Sequence, residues 1–186
     1  MEIVFCPEGR FFIWGLFDRI KNQEKGLKIK KINMAYKKKT ALEKLHESHC
    51  LPKVEKITGK MSKRWGTGTV AIPAPIEVDE IMKKVPKGKL ITINEIRQLI
   101  AKKHKATIGC PITCGIFAWI SAHAAEEEKA MGKKAVTPWW RTLKSDGSLN
   151  EKYPGGQENQ KKLLKEEGHK IIQKGKNILL LVTKNH

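Results

Sequence analysis

Residues 137–168 read TPWWRTLKSDGSLNEKYPGGQENQKKLLKEEG, and the rest of the chain is organised around them. The stretch opens on a proline and two adjacent tryptophans, Trp139 and Trp140, followed by Arg141. Neighbouring tryptophans in a loop imply a pocket or a partner, because so much aromatic surface has to be covered. Gly147 after Asp146 marks a tight turn. Tyr153-Pro154-Gly155-Gly156 breaks the chain before a run of helix formers, and Gly168 stands where a helix C-cap belongs.

Upstream, Thr92-Ile93-Asn94-Glu95 matches a capping box, in which Thr92 and Glu95 satisfy each other's backbone amides. Ile96, Leu99 and Ile100 continue an apolar helical face through about His104. A turn over residues 105–111 leads into a second helix over residues 113–129. Ile116, Trp119, Ile120 and His123 are its expected inner stripe, with small Ala118, Ser121, Ala122 and Ala125 elsewhere. Two helices joined by a short glycine-containing turn predict a helix-turn-helix. Val78, Ile81, Met82 and Val85 recur at helical spacing over residues 77–85, closed by Pro86 and Gly88. A short helix is expected over residues 40–49, with Ala41, Leu42 and Leu45 on one side and Pro52 ending it. Residues 60–75, rich in Gly and Pro, read as an extended linker anchored by Trp65. After Gly168, Ile171-Ile172, a turn at residues 174–177 and the run 178–182 predict a wing-like β-hairpin. The expected fold is mostly α and winged-helix-like, with a small β-hairpin.

Composition narrows the partner class. The chain has 186 residues and a net charge of +18, with a pI near 9.8, which points to a polyanion; DNA, RNA or an anionic membrane surface would all fit. Residues 21–64 hold fourteen Lys or Arg against four Glu, a net +10 and more than half of the excess. Phosphate contact without sequence preference is the functional reading of that run, a solvated arm the bland one. No apolar run is long enough to span a membrane. The apolar patch at residues 11–17 is short and follows acidic Glu2, so no signal peptide is expected. Residues 1–33 lack a period and precede a natural-looking start at Met34; they read as an extension, residues 34–68 as a basic arm, and residues 69–186 as the domain proper. Cys6, Cys50, Cys110 and Cys114 match no disulfide framework or zinc signature, so a reduced, cytoplasmic protein is the simplest reading. Cys110 and Cys114 are one helical turn apart. They read as small apolar residues, with a redox or metal pair as the alternative. His46, His49 and Cys50 lack a second ligand pair, so neither metal nor cofactor is expected.

Taken in order, Pro138-Trp139-Trp140-Arg141, Ser145-Asp146-Gly147, Tyr153-Pro154-Gly155-Gly156 and Leu163-Leu164-Lys165-Glu166-Glu167-Gly168 resemble the active-site segment of the alkylguanine-DNA alkyltransferase family. There the pattern is Pro-Cys-His-Arg, Ser-x-Gly, Tyr-x-Gly-Gly and Leu-Leu-x-x-Glu-Gly. The resemblance covers residues 72–168, about half of the chain. It implies a DNA-binding domain in which Trp139 stands at the place of the alkyl-accepting cysteine. The family's alkyltransferase-like branch also carries tryptophan there; it binds alkylated DNA and flags it for repair without transferring the group. Direct repair needs an activated thiolate, whereas an indole N–H only donates. Trp140 replaces the relay histidine, and Glu167 keeps the acidic end of the relay. Arg141 matches the family arginine and is expected to hold loop carbonyls.

The implied lesion pocket is Trp139, Trp140, Arg141, Tyr153 and Glu167. Trp139 would be a floor that stacks a flipped base, worth about 1–3 kcal/mol, and Tyr153 a wall; the alternative is that both tryptophans are core. Implied DNA contacts are Thr92, Ile93, Thr113, Cys114, Gly115, Ala118 and Ser121. Three departures stand out. Cys114 falls where the family inserts an arginine into the base stack, and Ile93 where a tyrosine turns the target phosphate. The connection AEEEKAMGKKAV is longer than the family's and lacks its asparagine hinge. The expected function is sensing alkylated or damaged bases on duplex DNA for repair, together with repair-pathway proteins and with no catalytic residue. The alternatives are a methyltransferase acting through Cys110 or Cys114, and a non-specific nucleic-acid-binding protein.

Overall fold

Helix α5 (Pro111–Ala130) is the axis on which most of the other helices pack. The computed structural model describes residues 39–174 and 177–181; the extension read at residues 1–33 lies outside them. Against α5 lie helices α1 (Ala41–His46), α3 (Pro75–Lys83) and α4 (Ile93–Lys103) and the 3-10 turn Trp139–Arg141. The inner surface of α5 differs from the expected stripe. Ile120 is buried as expected, but so are Cys114, Phe117, Ala118, Ser121, Ala122, Ala124 and Ala125. Ile116 is 47% exposed, and Trp119 and His123 are half-buried. Packing on several sides explains the difference. Small side chains let neighbouring elements approach closely, while Ile116, Trp119 and His123 lie at the rim.

The helix starts follow local chemistry. Thr92 and Glu95 form the expected capping box on α4, with the Thr92 N–H donating to the Glu95 carboxylate at 2.7 Å. Thr40 and Glu43 form another on α1. The Glu127 carboxylate of α5 also accepts the Ala41 and Leu42 amides, at 2.9 and 2.8 Å. A side chain 85 residues away thus satisfies two donors that an isolated helix would leave orphaned. Helix α3 opens on Pro75, where the missing amide costs nothing.

Residues 60–75 are not an extended linker. They form α2 (Lys60–Trp65) and β2 (Thr69–Ile72). Strand β2 pairs antiparallel with β1 (Lys53–Lys56) and parallel with β4 (Ile108–Gly109), which runs directly into α5. The glycines that suggested a linker are structural. Gly68 has φ 121°, and a Cβ there would lie 2.3 Å from Thr107 Oγ1. Gly66 caps α2. Ile57, Val70 and Cys110, with Met61, Trp65, Ile72 and Ile108, close a small core beneath the sheet. Residues read as part of a basic arm, 39–68, therefore supply α1, β1 and α2 to the packed structure.

Strand β3 (Ile91–Thr92) pairs parallel with β5 (Thr142–Leu143), drawing the start of α4 beside the tryptophan loop. Helix α6 (Gly156–Glu166) follows. Strands β6 (Lys170–Lys174) and β7 (Asn177–Leu181) form an antiparallel pair, in register from Lys170↔Leu181 to Lys174↔Asn177. Over the described residues the architecture is mostly helical with three small sheets.

Candidate functional site

The tryptophan loop is fixed at both ends by side chains from distant elements. At its entry, Thr137 Oγ1 donates to the fully buried Asp79 of α3 at 2.7 Å. At its exit, Gln160 of α6 is fully buried. Its amide donates to the Trp140 and Thr142 carbonyls at 3.0 and 2.9 Å, and its oxygen accepts the Asn150 amide at 2.8 Å. Between them the 3-10 turn Trp139–Arg141 sends Trp139 inward to Glu126, and Trp140 and Arg141 together to Glu167.

Trp139 points inward and has no exposed surface. Its indole N–H donates to Glu126 of α5 at 2.9 Å. Trp140 and Tyr153 meet it edge-on, with ring centroids 5.9 and 5.7 Å away. Tyr153 is 3% exposed; Asn150 lies near its hydroxyl, which makes no hydrogen bond of full geometry. Burial pushes the Tyr153 phenol pKa up. The face on which a base would stack is therefore covered in this structure.

Trp140 and Arg141 converge on Glu167, just past the end of α6. The Trp140 indole donates to Glu167 at 2.8 Å. Arg141 contacts both carboxylate oxygens, with Nε at 3.0 Å from each and Nη2 at 2.7 Å from Oε1, while Nη1 donates to the Val85 carbonyl at 2.6 Å. Burial opposes ionisation of Glu167, but the hydrogen bonds from Arg141 and Trp140 outweigh it and hold its pKa below the usual carboxylate value. The Glu167 carboxylate thus ties the loop to the end of α6. The turn at Ser145-Asp146-Gly147 is closed by Asp146, which accepts the Ser148 amide and hydroxyl at 3.0 and 2.6 Å. Asn94 of α4 donates to the Ser145 carbonyl at 3.3 Å, which brings turn and helix start together.

The expected DNA contacts on α5 mostly face the other way. Thr113 is 3% exposed, and Cys114, Ala118 and Ser121 not at all; the Ser121 hydroxyl donates to the Phe117 carbonyl. Ile93 is 9% exposed, and Thr92 is occupied as the α4 cap. Gly115 alone of the α5 set looks outward, with open space where its Cβ would be. The smallness of these residues serves packing inside the protein. Burial, before all other causes, pushes the Cys114 thiol up to about 12, and Cys110 is buried too. Sequence reasoning missed Gln160, Glu126 and Glu127. The run of three glutamates ending an apolar helix was the available signal.

No protein-family model matches the chain, and no curated protein does. Among solved structures the chain is similar to S. pombe Atl1 in complex with damaged DNA containing O6-carboxymethylguanine. Identity is 22% and the TM-score 0.41, over 57% of this chain and 86% of that one. It is also similar to S. pombe ATL in complex with DNA, at 23% identity and TM-score 0.35 over the same shares. Among the described residues no helix is long and apolar enough to cross a membrane, and no group of three or more His, Cys, Asp or Glu is placed to hold a metal.

Proposed function

We propose that this chain binds duplex DNA through a winged helix-turn-helix and senses altered bases for repair without accepting their alkyl groups. In this reading α4 and α5 are the two helices of the motif and the β6–β7 hairpin is its wing. The observation that carries it is Trp139. It stands at the acceptor position of the motif that residues 137–168 resemble, and its indole N–H is committed to Glu126. A tryptophan there offers no available nucleophile for alkyl transfer, because the indole nitrogen's electron pair belongs to the aromatic ring and its N–H only donates. The thiols of α5 and its N-cap are buried, and with a pKa pushed up to about 12 Cys114 is overwhelmingly protonated at neutral pH. The net charge of +18 supports the nucleic-acid part.

Holding a base beside Trp139 requires Tyr153 to move aside. The incomplete hydrogen bonding of its hydroxyl makes that movement less costly than displacing a satisfied group. Two measurements test the reading. Duplex carrying radiolabelled methylguanine leaves the protein unlabelled; label on Cys110 or Cys114 refutes the non-transferring part. Trp139→Ala weakens binding to lesion-containing duplex by about 1–3 kcal/mol more than to intact duplex. Equal weakening of both means that Trp139 is core alone.

A further inference from the structure

Three carboxylates hold the tryptophan loop, and the charge of one of them answers no structural need. Asp79 accepts from Thr137 and is ion-paired with Lys83 at 2.7 Å. Glu167 accepts from Trp140 and is ion-paired with Arg141 at 2.7 Å. Glu126 accepts the Trp139 indole N–H on Oε1 at 2.9 Å, and among the described residues no Lys, Arg or His is ion-paired with it. An indole N–H needs only a neutral acceptor, so a glutamine would hold the loop as well. A half-buried carboxylate without a cation carries a desolvation cost that holding the loop does not offset. Glu126 also belongs to the connection of residues 125–136, which is longer than in the family that the loop resembles. Its charge is a feature of this chain.

The rings beside that carboxylate define what would balance it. Trp140 and Tyr153 stand at 81° and 76° to Trp139, so the three rings form walls at near right angles. Ring faces are negative and attract cations. Trp140 already has one: the Arg141 guanidinium lies 5.7 Å from its centroid, and Glu167 cancels that charge. Among the described residues no cation lies over Trp139. Its cover is Tyr153, whose buried hydroxyl makes no hydrogen bond of full geometry. With Tyr153 moved aside, the Trp139 face and the Glu126 carboxylate together suit a planar aromatic cation. Alkylation of a purine at a ring nitrogen, N7 of guanine or N3 of adenine, makes such a cation. Alkylation at the guanine O6 leaves the base neutral.

We propose that the pocket at Trp139 selects positively charged purines alkylated at a ring nitrogen, and that Glu126 sets this specificity. The base stacks on Trp139. The Glu126 carboxylate, held at the edge of the same ring by its hydrogen bond, neutralises the delocalised charge. A neutral altered base gains the stacking and nothing from Glu126. This rests on the lesion-sensing reading above and names the class of lesion.

The test uses the full chain and duplexes that differ at a single base. That base is guanine, O6-methylguanine, N7-methylguanine, or the neutral isostere of the last in which carbon replaces the methylated nitrogen. All carry a fluorinated sugar at that position, which prevents loss of the cationic base, and binding is measured at mildly acidic pH, where the N7-methylated base is fully charged. The wild type prefers the cation over its neutral isostere by about tenfold or more. Glu126→Gln keeps an acceptor for the Trp139 indole and its affinity for intact duplex, but its preference falls to about threefold, the share that the rings alone supply. Glu80→Gln, the same change of charge at an exposed position of α3, leaves the wild-type preference intact. Equal wild-type affinity for the two isosteres overturns the proposal, as does an undiminished preference in Glu126→Gln or an equal loss in Glu80→Gln. A preference for O6-methylguanine over guanine without one for the cation overturns the charge selectivity alone. A wild type that binds no altered base better than guanine overturns the lesion-sensing reading with it.

Discussion

Glu167 illustrates how far a residue's role depends on what stands opposite it. Opposite a histidine it would pass a proton; opposite Trp140 and Arg141 it accepts their N–H groups and anchors a loop. Its folded pKa is depressed. The group therefore contributes stability above the unfolded carboxyl value, about 4.3, and that contribution is lost as pH falls through the lower folded value. Melts between pH 3 and 7 should show stability dropping below about pH 4.3, with a shallower drop in Glu167→Gln; an identical acid limb in the variant removes Glu167 from the linkage. Gln160 is neutral and makes a complementary case. Gln160→Leu leaves the Trp140 and Thr142 carbonyls and the Asn150 amide without their partner. The expected loss is about 3 kcal/mol in urea unfolding, and a loss under about 1 kcal/mol means that water replaces the amide.

At the scale of elements, legibility follows the range of the interaction. The capping boxes at Thr40 and Thr92 span three residues, and the one at Thr92 is readable in the sequence as a helix start. The β6–β7 pairing is local too. The working face of α5 is not legible in this way. An apolar period identifies one buried side, but α5 is packed by α1, α3, α4 and the tryptophan turn, so alanines become core and Ile116 becomes surface. Residues 60–72 were obscured for a related reason: Gly66 and Gly68 look like breakers, and only Thr107 across the sheet reveals why Gly68 is needed. Long-range ties such as Glu127 to the α1 amides leave no sequence signal beyond a carboxylate in a charge run. Glu127→Ala should therefore loosen one element selectively. Amide exchange at Ala41 and Leu42 accelerates, and global stability falls by about 1–2 kcal/mol. Unchanged exchange at those two amides shows that packing alone holds α1.

On the scale of the whole molecule, two kinds of free energy with different salt responses are combined in the proposed function. The excess of +18 acts on phosphates, which every duplex has, and releasing condensed cations makes that part fall linearly with log salt. A protein making about six phosphate contacts loses roughly a thousandfold in affinity between about 50 and 200 mM salt. Stacking of a base on the neutral Trp139 ring releases no counterions. Affinity for intact and lesion-containing duplex should then fall in parallel as salt rises, with their ratio constant. Competition binding at four salt concentrations measures both quantities at once. A ratio that shrinks towards one with added salt places the discrimination in charged contacts rather than at Trp139. A constant ratio that collapses in Trp139→Ala assigns affinity to the charged surface and selectivity to a single buried ring, which becomes accessible only once Tyr153 has moved.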